Sequence, residues 1–498
     1  MQDKTRSFSR RGFLQTGVCV AAAGCLGGCV STNRATGDTS FTGLMSIQDD
    51  IELGRREHPK LVKQFGGEYE NPRLQSYVAR LGERAAAYAE YQEFPYKFTI
   101  VNSPIINAFA LPGGFVYISR GLLSFASNEA ELMGVLSHEI GHVNARHTAE
   151  RVSSSQLAQG LVLLGAVATG SRALAQAGST AAGLALQSFS REQEFEADSL
   201  GIRYMSRAGY DPDAMSTFLA TLREYTQVHA KIQGRDPGVV DETNLMATHP
   251  RTIERVQRAR QQAVGAAPGA TRVAREPYLS QIDGMLYGDD PSQGIIDGTA
   301  FKHPDLRLAF TAPENFTLLN APDQVVAFSP DRAATILFDG AKVPTSRSMQ
   351  AYLQQDWSGA QIRLQDLEPI NVNGLQAATG WARLNGDQGP VDLRGVAIRF
   401  DGEQVYRFRF ITEPQATERF SQALRETTYS FRRLDPEEAA RITAHRLLVV
   451  PVQPGDTVAG LSRGMPHGRY NEEMFRVLND LTGGQTPPSG GLVKTVAS

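Results

Sequence analysis

His138-Glu139-Ile140-Gly141-His142 sets two imidazoles four residues apart around a carboxylate. On an α-helix that spacing puts His138 and His142 on one face, where their ring nitrogens can reach the same zinc ion. Glu139 lies one step around, placed to take a proton from the attacking water. Such a set does hydrolytic chemistry, and it needs a third ligand downstream. A metzincin would carry Gly and His where this chain has Ala145 and Thr148, which disfavours that class. His147 falls half a turn off the histidine face of a continued helix and reads as solvated. Glu194, within Ser190-Arg191-Glu192-Gln193-Glu194-Phe195-Glu196-Ala197-Asp198, completes a His2Glu site with an open fourth position. Asp198 then accepts the other ring N–H of a ligand histidine. Glu192 and Glu196 point the opposite way and read as solvated charges.

The elements that must position these groups are visible nearby. Asn128 and Glu131 form a capping pair, and Leu132, Val135, Leu136, Ile140 and Val143 make an apolar stripe. That stripe shares the histidine face, which argues against a surface helix with two unrelated histidines. Glu194 and Asp198 are again four apart on a predicted helix. Ala197 and Gly201 share their side, small enough to let this helix approach the first. Before the histidines, β-rich runs flank a Pro112-Gly113-Gly114 turn.

H-E-I-G-H followed by S-R-E-Q-E-F-E-A-D-S-L-G resembles the M48 family of zinc metalloendopeptidases. Ile106-Asn107-Ala108-Phe109-Ala110-Leu111-Pro112-Gly113-Gly114, Val116-Tyr117-Ile118 and Arg120-Gly121-Leu122-Leu123 match a third block of that family. The resemblance covers about residues 47–265 and implies a mainly helical gluzincin-type domain with a small edge sheet. It implies one Zn2+ per chain on His138, His142 and Glu194, with Glu139 as base and Asp198 behind the ligands. Asn107, Ala108, Phe109 and Ala110 would form the edge strand that holds an extended substrate through main-chain hydrogen bonds. His249 matches a position in soluble periplasmic members where a histidine reaches the zinc and keeps the enzyme inactive. Its alternative is a loop histidine before a helix of residues 251–263 that opens at Pro250.

Ser9-Arg10-Arg11-Gly12-Phe13-Leu14, the apolar stretch Val18 to Leu26 and Leu26-Gly27-Gly28-Cys29 read as a twin-arginine lipoprotein signal. Cleavage would leave Cys29 lipidated, favouring the outer membrane; a plain cleaved signal or an uncleaved anchor are the alternatives. All three cysteines lie in this segment, so the mature chain has no internal disulfide. The formal charge is −3, or −6 once residues 1–28 are removed, and no basic cluster offers nucleic acid a footprint. Leu157 to Thr169, and the small residues that follow to Leu186, read as a buried or cleft-covering helical hairpin rather than a membrane span.

The expected organisation is α+β and multidomain. Residues 1–28 are the signal, 29–46 a tether, 47–265 the peptidase domain and 266–278 a linker. Residues 279–435 follow as an α+β domain of unassigned role, with Leu306, Leu308 and Phe310 alternating in a strand. There an Asp401-Gly402 turn leads into a strand bearing Tyr406, Phe408 and Phe410, and residues 416–428 form a helix. Residues 445–498 resemble a degenerate LysM module, a small βααβ unit whose family binds peptidoglycan or chitin; Gly455-Asp456-Thr457 supplies turn and cap. The implied protein is a zinc metalloendopeptidase of the bacterial cell envelope, acting on misfolded or misassembled envelope proteins. It would be held to the membrane by lipid and would touch peptidoglycan through the LysM-like unit. The rival readings are a chaperone or assembly scaffold, or a cell-wall-binding lipoprotein, each with a silent metal site.

Overall fold

The computed structural model describes residues 31–40, 45–153, 188–234, 236–237, 249, 253–266, 269–357, 362–386, 389–481 and 483–498. The signal segment, Cys29, the 157–186 stretch and Pro250 lie outside the described residues. Among the described residues, no helix is long and apolar enough to cross a membrane.

The chain enters through a hairpin of β1 (Ser31–Thr32) and β2 (Thr39–Ser40). Asn33 shapes it: its Oδ1 accepts from the Ala35 and Thr36 N–H groups, and its Nδ2 donates to Asn144 O at 2.9 Å. The segment expected as a free tether is therefore docked on the helical unit, because one Asn side chain both closes its turn and reaches that unit.

Helix α1 (Ile47–Gln64) starts on a Ser46/Asp49 capping box, and α2 (Pro72–Ala86) on Asn71 with Pro72 in its first turn. Strands β3 (Lys97–Val101), β4 (Ala108–Leu111) and β5 (Phe115–Ser119) form a sheet with β5 in the centre, parallel to β3 and antiparallel to β4. Helices α3 (Arg120–Phe125), α4 (Glu129–Ala145), α5 (Arg191–Arg207), α6 (Asp213–Ile232), α7 (Ile253–Gly265) and α8 (Arg275–Ile282) follow. Every residue of α4 is buried. It packs against β4, α2, α5, α6 and α8, so it is the axle of the unit rather than a surface helix. Asn128 Oδ1 caps it by accepting from Glu131 N at 2.9 Å, and Glu131 Oε2 accepts from Ser127 N at 2.7 Å. Arg146 ends it in the left-handed region, at φ 57°.

The expected boundary at 279 divides α8. Tyr278, Leu279 and Ile282 of that helix, with Met285 and Tyr287 beyond it, sit in the same core as α2 and α4. The second region therefore starts later. It holds a sheet in the order β17 (Arg432–Arg433), β9 (Leu308–Thr311), β8 (Ala300–His303), β7 (Ile295–Asp297). Beside it runs an antiparallel sheet of seven strands: β10 (Thr317–Ala321), β11 (Gln324–Phe328), β12 (Ala334–Lys342), β16 (Gln404–Thr412), β15 (Gly389–Asp401), β14 (Leu375–Gly386) and β13 (Gln365–Val372). Asp401 ends β15, and Gly402 at φ 47° turns the chain toward β16, supplying a conformation that costs a side chain energy. Phe310, Phe338, Phe408 and Phe431 fill the space between the sheets, and α9 (Thr417–Ser430) lies alongside. Leu306 is outside β9 and 46% exposed, since Arg307 at φ 50° turns the chain before the strand begins.

The final segment runs β18 (His445–Pro451), α10 (Val458–Ser462), α11 (Asn471–Leu478) and β19 (Leu492–Ala497), with β18 and β19 antiparallel. Thr457 caps α10 by accepting from Gly460 N. This segment does not stand apart. β18 also pairs with β6 (Leu286–Tyr287), and Leu447, Met474, Phe475 and Val493 join the α2/α4 core. Lys494, fully buried on β19, donates to the carbonyls of Ser124, at the end of α3, at 2.9 Å and of Ala126, in the loop that leads into α4, at 2.7 Å.

Candidate metal centre

α4 and α5 cross at their glycines. A Cβ on Gly141 would lie 2.8 Å from Ala197 O, and one on Gly201 would lie 3.0 Å from His138 N. With no side chains there, the two backbones approach closely enough for groups on each to share one point.

At that point His138, His142, Glu194 and His249 offer ligand atoms that all lie within 4.8 Å of one another. His138 Nε2 is 3.1 Å from His142 Nε2 and 3.3 Å from His249 Nδ1. Glu194 Oε1 is 2.8 Å from His249 Nδ1 and 3.6 Å from His142 Nε2, while its Oε2 is 3.6 Å from His138 Nε2. A tetrahedron with bonds of about 2.0–2.1 Å has edges of about 3.3 Å, so this spacing suits a small tetrahedral cation. Three imidazole nitrogens and one carboxylate oxygen form a donor set that zinc favours. Converging ring nitrogens would otherwise turn their lone pairs on one another, and the site therefore fits the ion.

The surrounding charges follow from burial. Burial opposes ionisation of Glu194, but Arg255 and His249 outweigh it and hold the carboxyl well below its usual range. Burial pushes the His142 imidazole well down, which keeps its lone pair available. Burial also raises the Glu139 carboxyl, against the pull of His249 and His138. Glu139 Oε1 stands 3.3 Å from His249 Nε2, so the carboxylate is beside the cluster and outside the ligand set. Asp198 Oδ1 is 2.9 Å from His138 Nδ1.

Several neighbours were not legible as such. Arg255, on α7, meets both Asp198 oxygens at 2.7 and 2.8 Å and Glu194 Oε2 at 2.5 Å. Phe189 stacks on the His142 ring at 4.0 Å between centroids, under the Arg151 guanidinium. His147, expected in solvent, has a side chain only 2% exposed, with its Nδ1 2.8 Å from His142 Nδ1 and its Nε2 2.8 Å from Glu196 Oε2. The chain turns at Arg146, so His147 folds back beneath the helix instead of continuing its wheel. Glu196 is correspondingly paired rather than free in solvent.

Asn107, Ala108, Phe109 and Ala110 lie at the outer side of the three-stranded sheet, where β4 is an edge strand among the described residues. Asn107 is tied to Ser119 through its N–H at 3.0 Å and its carbonyl at 2.9 Å. Phe109 stacks on Tyr117 and lies tilted against Phe65, in a cluster separate from the α2/α4 core. Ala110 and Leu111 line a small cleft with His142 and Val143 of α4, so the strand runs beside the ligand helix.

Residues 72–263 match the model of peptidase family M48. This segment is an M48 peptidase domain. The chain is 32% identical over 257 residues to the beta-barrel assembly-enhancing protease of Escherichia coli (strain K12), covering 49% of this chain and 50% of that one. It is 31% identical over 262 residues to the protein of the same name from Yersinia pestis, covering 51% and 52%. The mitochondrial metalloendopeptidase OMA1 of Schizosaccharomyces pombe is 32% identical over 173 residues, covering 34% and 51%. The chain thus spans about half the length of the curated relatives it matches.

Proposed function

We propose that this protein is a zinc-dependent endopeptidase of the bacterial cell envelope that hydrolyses misfolded or misassembled envelope proteins. The observation that carries the reading is the convergence of His138, His142 and Glu194 on one point with Glu139 beside it. The names of the bacterial relatives support the envelope role. His138 Nε2, His142 Nε2 and a Glu194 oxygen would hold the ion. When bound, zinc would polarise the scissile carbonyl and acidify a water. Glu139 takes the proton of the attacking water and passes it to the leaving amine, and its burial strengthens it as a base. Asp198, fixed by Arg255, orients His138. The edge strand Asn107 to Ala110 would align an extended substrate by main-chain hydrogen bonds, which is tolerant of sequence.

His249 supports a latent resting form. Its Nδ1 occupies the fourth corner of the cluster, where an open position is needed for hydrolysis. The silent-scaffold reading rests on the same observation. The envelope address rests on the twin-arginine motif and Cys29, and peptidoglycan contact on the LysM-like order of β18 to β19.

Purified wild type, Glu139→Gln and His249→Ala separate these readings on casein, with zinc measured in each. The wild type should carry about one zinc per chain and cleave. Glu139→Gln should keep its zinc and lose at least about a thousandfold in rate, since removing the base abolishes the proton relay. His249→Ala should cleave faster at equal zinc; a slower or unchanged rate rejects the latent form. Undiminished turnover in Glu139→Gln rejects the catalytic assignment.

A further inference from the structure

Each of the two imidazoles on α4 has a far nitrogen that must be held if the near one is to face the ion. For His138 the holder is Asp198, a carboxylate braced by Arg255. For the far nitrogen of His142 no carboxylate is in reach among the described residues. Its Nδ1 meets another imidazole, His147 Nδ1, at 2.8 Å, and the far side of that ring meets Glu196 Oε2 at 2.8 Å. His147 is buried, while Glu196 is 28% exposed at the end of the chain of contacts.

We propose that His147 and Glu196 are positioning residues for His142, a two-step brace that fixes its ring orientation and tautomer for metal binding. The direction of every hydrogen bond follows from one end. A carboxylate only accepts, so His147 donates its Nε2–H to Glu196. With His147 as the neutral tautomer, its Nδ1 presents a lone pair, and His142 donates its Nδ1–H to it. That leaves the His142 Nε2 lone pair turned toward His138 and Glu194, where the ligand atoms converge. Phe189 stacks on the His142 face and restrains the ring from swinging. The left-handed Arg146 makes the arrangement available, because it brings residue 147 back under residue 142. An imidazole in this place reaches farther than a carboxylate on α5 could, since Glu194 and Asp198 are already committed to the ion and to His138.

This inference rests on the metal-site part of the proposed function and is independent of proteolysis. Its test is zinc affinity, measured by competition with a chromogenic chelator on wild type, His147→Leu, His147→Asn and Glu196→Gln. His147→Leu removes the acceptor and should weaken zinc binding about 10–100-fold. His147→Asn places an amide oxygen near the lost Nδ1 and should recover most of that loss. Glu196→Gln should fall between, because an amide no longer dictates which way His147 donates. With cobalt in place of zinc, the visible absorption of His147→Leu should change shape and that of His147→Asn should resemble wild type. Equal affinity in His147→Leu and wild type overturns the proposal, as does equal impairment of the Leu and Asn variants, which would mark a packing role. If the Leu variant does not fold, the Asn and Gln variants decide: both matching the wild type overturns it. A wild type that binds zinc without cleaving casein rejects the peptidase reading and leaves this one standing. One that binds no zinc rejects both.

Discussion

The metal region and the seven-stranded sheet are both built around buried side chains, but they are held by different forces. Around α4 and α5 the buried groups are charged: Glu139, Glu194, Asp198 and Arg255 lie within a few contacts of one another. Between the sheets the buried side chains are rings, with Phe310, Phe338 and Phe408 within 4.6 to 5.2 Å of each other by centroid, and the ion pairs, such as Arg383–Asp392, stay nearer the surface. Burying charge is costly unless every partner is present. The metal region gathers its buried charges at one point, whereas in the sheet a buried charge such as Asp392 pairs with an exposed arginine, Arg383.

That contrast can be broken first at Arg255. Arg255→Leu strands two buried carboxylates and should cost about 3–5 kcal/mol of stability in metal-free protein. Zinc should restore part of it by facing Glu194 again, and urea unfolding with and without zinc reads both. Equal loss in the two conditions would show that the arginine supports the fold and not the site. In the sheet, Phe408→Ala should cost about 3 kcal/mol by leaving a cavity, with zinc stoichiometry unchanged. Joint loss of zinc and sheet would mean that the two regions unfold as one. Gly141→Ala should cost about 2 kcal/mol, because its Cβ would press on Ala197 O, a backbone atom with little room to yield. Zinc affinity should drop with it as α4 and α5 move apart. At neutral pH the smallest effect is expected at His467, in the final segment between α10 and α11. Burial, with His229 and His445 nearby, pushes its imidazole down to about 4 from an ordinary 6.5. Its folded state takes up a proton less readily than the unfolded chain, so its contribution is full above about pH 6.5 and lost as pH falls toward 4. His467→Gln should flatten that acid limb by up to about 3 kcal/mol between pH 6.5 and 4, as read from melting temperature against pH. An unchanged slope would place the acid sensitivity elsewhere.

The sequence made the ligand helices readable because their chemistry is periodic. His138, His142, Glu194 and Asp198 sit at helical spacing, and the small Ala197 and Gly201 mark the contact face. His147 was misplaced by the same periodicity, since nothing at Arg146 announces a left-handed residue. Arg255 had no local signal at all: its role depends on α7 packing across α5, 57 residues from Asp198. In the fold, the Asp401-Gly402 turn was legible from a local preference. The boundary at 279 was not, because a linker composition at 265–270 says nothing about which core takes up Tyr278. The docked hairpin at 31–40 depends likewise on a partner 111 residues away, Asn144.

Lys494 gives the molecule an order of assembly. Its ammonium ties the loop that leads into α4, at Ala126, across 368 residues of sequence. A ribosome makes α4 long before it makes the strand that locks its entrance, and contacts of such separation form late. The entrance of the helix that carries His138 and His142 is therefore secured only after β19 has been made.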